Sequence, residues 1–145
     1  MNGVTQAGGG PSPADDDAAF DRADFATVVD MFWEAVDAAG DRIALIDGER
    51  TLSYRDYGAA VAALAARLVA IGVGGERVAI QVPNSIEANV AIYAALAAGA
   101  QVALLNPGYG ADELAPLFDI ARPKVIIAGG RRRAGGARDR RCAQH

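Results

Sequence analysis

The sequence has very few of the residues that bind metals or form covalent cross-links. Its 145 residues include one cysteine, Cys142, and one histidine, His145. Because a single cysteine cannot form an internal disulfide, the composition favours a reducing compartment and predicts a cytoplasmic protein. Structural zinc sites use four cysteine or histidine ligands, so a zinc-stabilised domain is excluded.

The glycine motifs that bind phosphate groups in nucleotide-binding folds are also missing. There is no G-x-x-x-x-G-K-[ST] segment, and no G-x-G-x-x-G segment follows a predicted strand. The Gly-Val-Gly-Gly run at 72–75 precedes a strand, which is the wrong side for a phosphate at a helix N-terminus, and we interpret it as a loop. These absences weigh against a dehydrogenase-type nucleotide-binding domain, an alternative that a titration with NAD would test.

No segment is predicted to cross a membrane. The first thirty residues are rich in Gly, Pro, Asp and Ala, whereas a signal peptide has a basic and then an apolar run. The most apolar stretch, 86–105, contains Glu87, Asn89 and Gln101 and is divided at Gly99. We therefore interpret it as a buried helix followed by a buried strand.

Charge is distributed unevenly along the chain. Residues 1–130 contain 17 acidic and 8 basic residues, whereas residues 131–145 contain six arginines and one aspartate. The acidic body argues against a nucleic-acid-binding protein, since such proteins neutralise phosphates with Lys and Arg. The segment 130–145 has no apolar periodicity and is predicted to be disordered. Thirteen arginines against one lysine favour out-of-frame translation of GC-rich DNA, and a basic tail for an acidic partner is the alternative.

The composition of 52% hydrophobic and 22% charged residues is that of a globular protein. Residues 1–24 are rich in Gly, Pro and acidic residues and are predicted to form a disordered leader. The folded domain is predicted over 25–129. It opens with a helix that has Thr27 as its N-cap and Gly40 at its C-terminal end.

A hairpin and a second helix are predicted next. Two short apolar runs on either side of an Asp-Gly dipeptide predict an antiparallel hairpin over 43–54. Ser53, followed three residues later by Asp56, has the spacing of a helix N-terminal cap. The alanine-rich helix that it opens is predicted to end at Gly72.

Three apolar runs, at 78–82, 102–105 and 124–128, are predicted to be buried strands separated by two helices. Asn84 and Glu87 are predicted to cap the first of these helices. Strands that alternate with helices predict right-handed βαβ crossovers and a parallel sheet.

The predicted fold class is therefore α/β. It is a partial, doubly wound parallel sheet of βαβ units, with an N-terminal helix and a β-hairpin, in an incomplete domain. The hairpin is expected at an edge of the sheet or beside it. In the last helix, over 112–121, Pro116 is expected to disturb the first turns. An unpaired apolar strand at the edge of such a sheet is expected to favour aggregation.

Four segments carry a resemblance to a known family. They are ALIDGERTLSYRDY, LVAIGVGGERVAIQVPNS, AIYAALAAGAQVALLNPGY and DELAPLFDIARPKVII, and they occur in this order between Asp41 and Gly129. Their order and spacing resemble the N-terminal part of the adenylate-forming (AMP-binding) superfamily, which includes acyl-CoA synthetases, CoA ligases, luciferases and peptide-synthetase adenylation domains. Gly110 and Pro116 depart from the usual family pattern.

The resemblance implies a full-length relative that uses ATP, Mg²⁺ and coenzyme A. In the family reaction a carboxylic acid attacks the α-phosphate of ATP, which gives an acyl-adenylate and pyrophosphate, and a thiol then displaces AMP. The phosphate-binding loop and the catalytic lysine of the family lie downstream of the matched region. The sole lysine here, Lys124, stands at a strand start, so no catalytic, cofactor-binding or metal-binding residue is predicted.

The resulting hypothesis is a truncated, inactive AMP-dependent synthetase or ligase of the acyl-CoA synthetase type. The matched part would supply scaffold, and the loops 83–85 and 106–109 are the nearest candidates for ligand contact. Both loops follow predicted strands, and ligands of open α/β sheets lie beyond the carboxyl ends of the strands. The alternative is a non-enzymatic α/β interaction module with a basic C-terminal tail.

Overall fold

The computed structural model describes residues 26–129. The predicted leader over 1–24 and the predicted tail over 130–145 lie outside the described residues, and both stay predictions. Helices and strands follow one another in the predicted order. They are α1 (Val28–Ala39), β1 (Ile43–Asp47), β2 (Arg50–Ser53), α2 (Tyr54–Ala70), β3 (Arg77–Gln81), α3 (Ile86–Ala97), β4 (Gln101–Leu104), α4 (Ala111–Ala121) and β5 (Val125–Ala128).

The ends of the first two helices confirm the predicted caps. The Thr27 hydroxyl accepts a hydrogen bond from the N–H of Asp30 at 3.1 Å, and Gly40 ends α1 with a φ of +52°. The Ser53 hydroxyl accepts from the N–H of Asp56 at 3.1 Å and begins α2. In each helix a side-chain oxygen satisfies a backbone donor that has no partner within the helix.

The predicted cap of α3 is wrong. Ser85, not Asn84, is the N-cap: its backbone is extended, and its hydroxyl accepts from the N–H of Ala88 at 3.3 Å. The side chain of Glu87 instead accepts a hydrogen bond from Arg50 of the hairpin. The Glu87 carboxylate, which the sequence pattern predicted to be part of the cap, thus forms a tertiary contact instead.

Pro116 does not interrupt α4, which is one continuous helix from Ala111 to Ala121. The residue at 116 has no N–H to donate, but it is exposed, so the carbonyl that loses a partner is close to solvent. The N–H of Gly110 donates to the carboxylate of Glu113 at 2.9 Å, which stabilises the start of the helix.

The three predicted strands form a parallel sheet in the order β4-β3-β5, as the alternation with helices predicts. Val78 in the central strand is in register with Val102 on one side and with Val125 on the other. The hairpin forms a separate two-stranded antiparallel sheet beside it. Its turn is closed by the Asp47–Arg50 pair, and Gly48 in the turn has a φ of +62°.

One face of the sheet packs against α3, which contacts β3 and β4, and α1 and α2 pack against α3 in turn. Val78 and Ile80 of β3 are at most 2% exposed and belong to one apolar cluster with the residues that these helices bury. The centre of the helical layer is aromatic: the ring of Phe32 lies 4.9 Å from Tyr57 and 4.6 Å from Tyr93, centroid to centroid. Burial raises the pKa of the Tyr57 phenol well above its ordinary value.

The chain crosses the sheet in two directions. The connection through α3 leads from β3 to β4, and the connection through α4 returns across β3 to β5. Right-handed crossovers therefore place α3 and α4 on opposite faces, as in a doubly wound sheet. In agreement, Arg77 of β3 donates to the carbonyl of Ala121 at the end of α4, at 3.1 Å.

The prediction of three buried strands is right for β3 and wrong for β4 and β5. Neither outer strand contains a buried residue, and Leu104 and Ile126 are 65% and 48% exposed. Within residues 26–129 each has a strand neighbour on one side only. The apolar stretch at 86–105 is α3 followed by β4, and no helix in the described range is long and apolar enough to cross a membrane.

Candidate functional site

A cleft of about 880 Å³ lies at the carboxyl end of the parallel sheet. Its walls come from the ends of β3, β4 and β5 and from the turn of the hairpin. The lining residues are Asp47, Glu49, Arg50, Gln81, Val82, Pro83, Ser85, Glu87, Pro107, Tyr109 and Gly129. The cleft includes the point between β3 and β5 where the chain reverses its direction across the sheet, which is where open α/β sheets bind ligands.

Gln81, the last residue of β3, holds the loop that follows β4. Its side-chain amide donates to the carbonyl of Tyr109 at 3.0 Å and to that of Asn106 at 3.4 Å. Within the loop, the Asn106 side chain accepts from the N–H of Gly108 at 2.8 Å. This local turn and the bonds from Gln81 position Pro107 and Tyr109 on the cleft wall.

The hairpin turn is joined to the start of α3 across the mouth of the cleft. The Arg50 guanidinium donates to Glu87 Oε1 at 2.6 Å, and a second guanidinium nitrogen lies 3.8 Å from Asp47 Oδ2. The hydrogen bond from Arg50 is the main reason that the pKa of Glu87 is lowered to about 2. Because both side chains are about half exposed, solvent screens the pair and its contribution to stability is small.

The side chains of the cleft carry more negative than positive charge. Three carboxylates, on Asp47, Glu49 and Glu87, face one guanidinium, which Glu87 already engages. Over the described range 26–129, no three acidic, cysteine or histidine side chains converge closely enough to hold a metal ion. The arrangement suits a cationic group better than an anionic one.

The structure brings the two predicted candidate loops together. Pro83 and Ser85 from the first loop line the same cleft as Pro107 and Tyr109 from the second. The hydroxyl of Ser85 also serves as the N-cap of α3. Asn84 is exposed outside the cleft lining.

Sequence reasoning missed the hairpin side of the cleft. Asp47, Glu49 and Arg50 lie more than thirty positions before Glu87, and no local pattern indicates that the turn reaches α3. Gly129 was also missed, although it follows a predicted strand directly, so the rule of carboxyl strand ends could have found it.

Comparison with known proteins identifies the fold. The sequence model of the AMP-binding enzyme family matches residues 32–145. The chain belongs to the AMP-binding enzyme family. The structure is similar to the N-terminal subdomain of NpsA from Klebsiella oxytoca, solved in complex with anthranilyl-AMSN, with a TM-score of 0.66 and 29% identity. That likeness covers 71% of this chain and 28% of the NpsA subdomain.

Curated relatives come from more than one branch of the family. Protein Y of Streptomyces griseus is 34% identical over 111 residues, which are 76% of this chain and 36% of that protein. A medium/long-chain fatty-acid and 3-oxocholest-4-en-26-oate CoA ligase of Mycobacterium marinum is 37% identical over 93 residues, which are 63% of this chain and 17% of the ligase. The chain therefore spans about a third or less of the length of these relatives.

The family implies ATP, Mg²⁺ and coenzyme A, and the cleft does not fit their phosphate groups. Phosphates are bound by Arg, Lys or free backbone N–H groups, whereas Arg50, the one basic side chain that lines the cleft, is bound to Glu87. The lysine of the described range, Lys124, donates to the carbonyl of Gly72 at 2.6 Å. Gly72 precedes β3, so this lysine is at the opposite end of the sheet from the cleft.

Proposed function

We propose that this chain forms the N-terminal scaffold of an AMP-forming acid–thiol ligase of the acyl-CoA synthetase type. In that reaction the acid carboxylate attacks the α-phosphate of ATP and pyrophosphate leaves. A thiol then attacks the acyl carbon and AMP leaves. The 37% identity to the fatty-acid CoA ligase supports coenzyme A as the acceptor, and the likeness to NpsA keeps a peptide-synthetase acceptor as the competing possibility.

The observation that carries the proposal is the fold match together with its extent. About seven-tenths of this chain superposes on little more than a quarter of the NpsA N-terminal subdomain. The apolar surfaces of β4, β5 and α4 that are exposed here are the surfaces on which a larger domain would continue. In this proposal the described residues position neighbouring elements, and they take no part in the chemical steps.

In this proposal the isolated chain does not activate carboxylic acids. ATP–pyrophosphate exchange by the purified 145-residue chain, with a panel of fatty and aromatic acids, measures the first half-reaction. The expected rate equals that of a blank without acid, while a full-length relative in the same panel gives exchange. Acid-dependent exchange by the chain alone would overturn the scaffold role.

A binding measurement tests whether the cleft residues contact a substrate. Its result does not depend on whether the chain belongs to the family. Titration of the chain with ATP and Mg²⁺, and separately with coenzyme A, should give no saturable change in its amide signals, because the cleft has an excess of carboxylates. Saturable binding at the cleft would show that these residues contact a substrate, even if exchange remains at the level of the blank.

A further inference from the structure

Helix α4 lies on the face of the sheet opposite α3, and side chains of one strand bond to the chain at both of its ends. At the last residue of α4, the Arg77 guanidinium donates to the carbonyl of Ala121 at 3.1 Å. Before its first residue, the Gln81 side-chain amide donates to the carbonyls of Tyr109 at 3.0 Å and Asn106 at 3.4 Å. Because Arg77 and Gln81 are the first and last residues of β3, this strand holds α4 at both ends.

Between these two attachments the strand offers α4 little apolar surface. Side chains alternate along a strand, so Arg77, Ala79 and Gln81 share the face of β3 that is turned to α4. Val78 and Ile80 are on the other face and belong to the apolar core. The one side chain of β3 between the two attachments is thus a methyl group. Helix α4 in turn buries none of its residues, so polar bonds at its ends are a large part of what holds it.

Two properties of α4 make its attachment easy to release. Its C-cap, Arg122, has a φ of +43°, in the left-handed region that residues with a side chain rarely adopt, so the docked helix carries backbone strain. The helix has eleven residues, and an isolated helix shorter than about 12 residues is barely stable in water. Its helical hydrogen bonds therefore depend on its docking to the sheet.

We propose that residues 106–121 form a strap that opens from the sheet as one unit, with Gln81 and Arg77 as the positioning residues that hold it closed. The unit includes Pro107 and Tyr109, which line the cleft. Opening of the strap therefore removes one wall of the cleft, while β3 and α3 stay packed. The position of α4 and the shape of the cleft are coupled through the side-chain amide of Gln81.

Amide hydrogen exchange of the 145-residue chain tests whether the strap opens as a unit. The N–H groups of Leu114 and Arg122 donate helical hydrogen bonds near the two ends of α4, at 3.0 and 2.7 Å. Gln81→Met keeps the length of the side chain and removes the donor. It should speed exchange at both amides by about fivefold, which is the usual effect of losing one net hydrogen bond. Arg77→Met, at the other end, should speed the same two amides by a similar factor.

The same substitution at a third position is the matched control. Gln101 is the exposed first residue of β4 and is in register with Arg77, and Gln101→Met should leave both exchange rates unchanged. Residues 78–80 should keep their wild-type rates in all three variants, because the core is not altered.

The wild type gives a readout that needs no variant. As urea is added at concentrations below the unfolding transition, the amides of α4 should converge on a single opening free energy, lower than that of residues 78–80. A cooperative unit that opens separately from the core behaves in this way.

Three results would overturn the proposal. In the first, Gln81→Met speeds exchange only at Leu114 and Arg77→Met only at Arg122, which means that the two ends of α4 open independently. In the second, neither variant changes either rate, so the two side chains do not hold the strap. In the third, α4 and residues 78–80 of the wild type have equal opening free energies, so that α4 opens only when the core unfolds.

Discussion

The central strand and its two neighbours differ in burial although they are similar in composition. Val78, Ala79 and Ile80 of β3 are at most 2% exposed, whereas β4 and β5 contain no buried residue. The connecting helices show the same contrast: α3 buries five residues, and α4 buries none and leaves Ile120 79% exposed.

The contrast shows that an apolar strand sequence indicates that the strand can be buried on both faces. It does not show that the strand is buried in this structure. The sequences VIIA and QVAL are as typical of sheet interiors as RVAIQ. Only β3 has a strand on both sides within residues 26–129. Since the chain spans about a quarter of its structural neighbour, the outer strands match the proposal of a larger domain.

The largest effect is expected from a substitution in the buried core, and it is compared with the same substitution in α4. Phe32→Ala removes a ring that is 5% exposed and contacts three other aromatic rings, and should cost about 3–5 kcal/mol. Phe118→Ala, in α4, removes a half-buried ring and should cost less than half as much. Urea unfolding of both variants measures the difference, and equal losses would contradict a core centred on α1–α3.

A smaller effect is expected where α1 and α2 meet. A Cβ on Gly58 would lie 2.7 Å from Val36 Cγ1, so Gly58→Ala overpacks the contact. Alanine is favoured over glycine in a helix by about 1 kcal/mol, so the net loss should be about 1 kcal/mol. In a double-mutant cycle with Val36→Ala, the variant pair should lose less stability than the sum of the single changes. Additive losses would show that the helices are not in close contact there.

The pH dependence of stability tests the bridge between the hairpin and α3. The pKa of Glu87 is lowered from 4.5 to about 2 in the folded state. Between these two pH values Glu87 therefore binds fewer protons in the folded state than in the unfolded state. Stability should therefore fall by up to about 1 kcal/mol as the pH decreases from about 4.5 to 2.

Glu87→Gln should remove this contribution, and Glu34→Gln, on the exposed surface of α1, should retain it. Thermal unfolding at a series of pH values compares the three proteins. A slope in the Glu87 variant equal to that of the wild type would mean that other carboxylates are responsible.

The smallest expected effect is at Tyr57. Its phenol is buried, and its hydroxyl has no hydrogen-bond partner within the described residues. Tyr57→Phe removes an unsatisfied polar atom, so stability should stay the same or rise by up to about 1 kcal/mol. A melting temperature several degrees below that of the wild type would show that the hydroxyl has a partner.

Local patterns were sufficient where the deciding contact is local. The caps at Thr27 and Ser53 could be predicted because each hydrogen bond joins residues only three positions apart. The parallel sheet followed from the alternation of strands and helices. The position of β5 beside β3, and not beyond β4, was not predicted, because strand order depends on packing between distant segments.

The cleft could be predicted in part for the same reason. Loops 83–85 and 106–109 follow strands, so the general rule for open sheets located them. The contact of Arg50 with Glu87 joins residues 37 positions apart, so it could not be found locally. The predicted cap at Asn84 is wrong because the neighbouring Ser85 takes that position. A carboxylate in the first turn of a helix has more than one possible partner, and the sequence does not rank them.

Amide hydrogen exchange, resolved by residue, tests the central claim most directly. In this account β3 and α3 form a packed core, and β4, β5 and α4 are left uncovered on one side. Residues 78–80 and the buried part of α3 should then exchange only through global unfolding, and β4, β5 and α4 should exchange orders of magnitude faster. Uniform protection across all three strands and α4 would contradict this account. It would indicate a self-sufficient domain and favour the interaction module over the ligase scaffold.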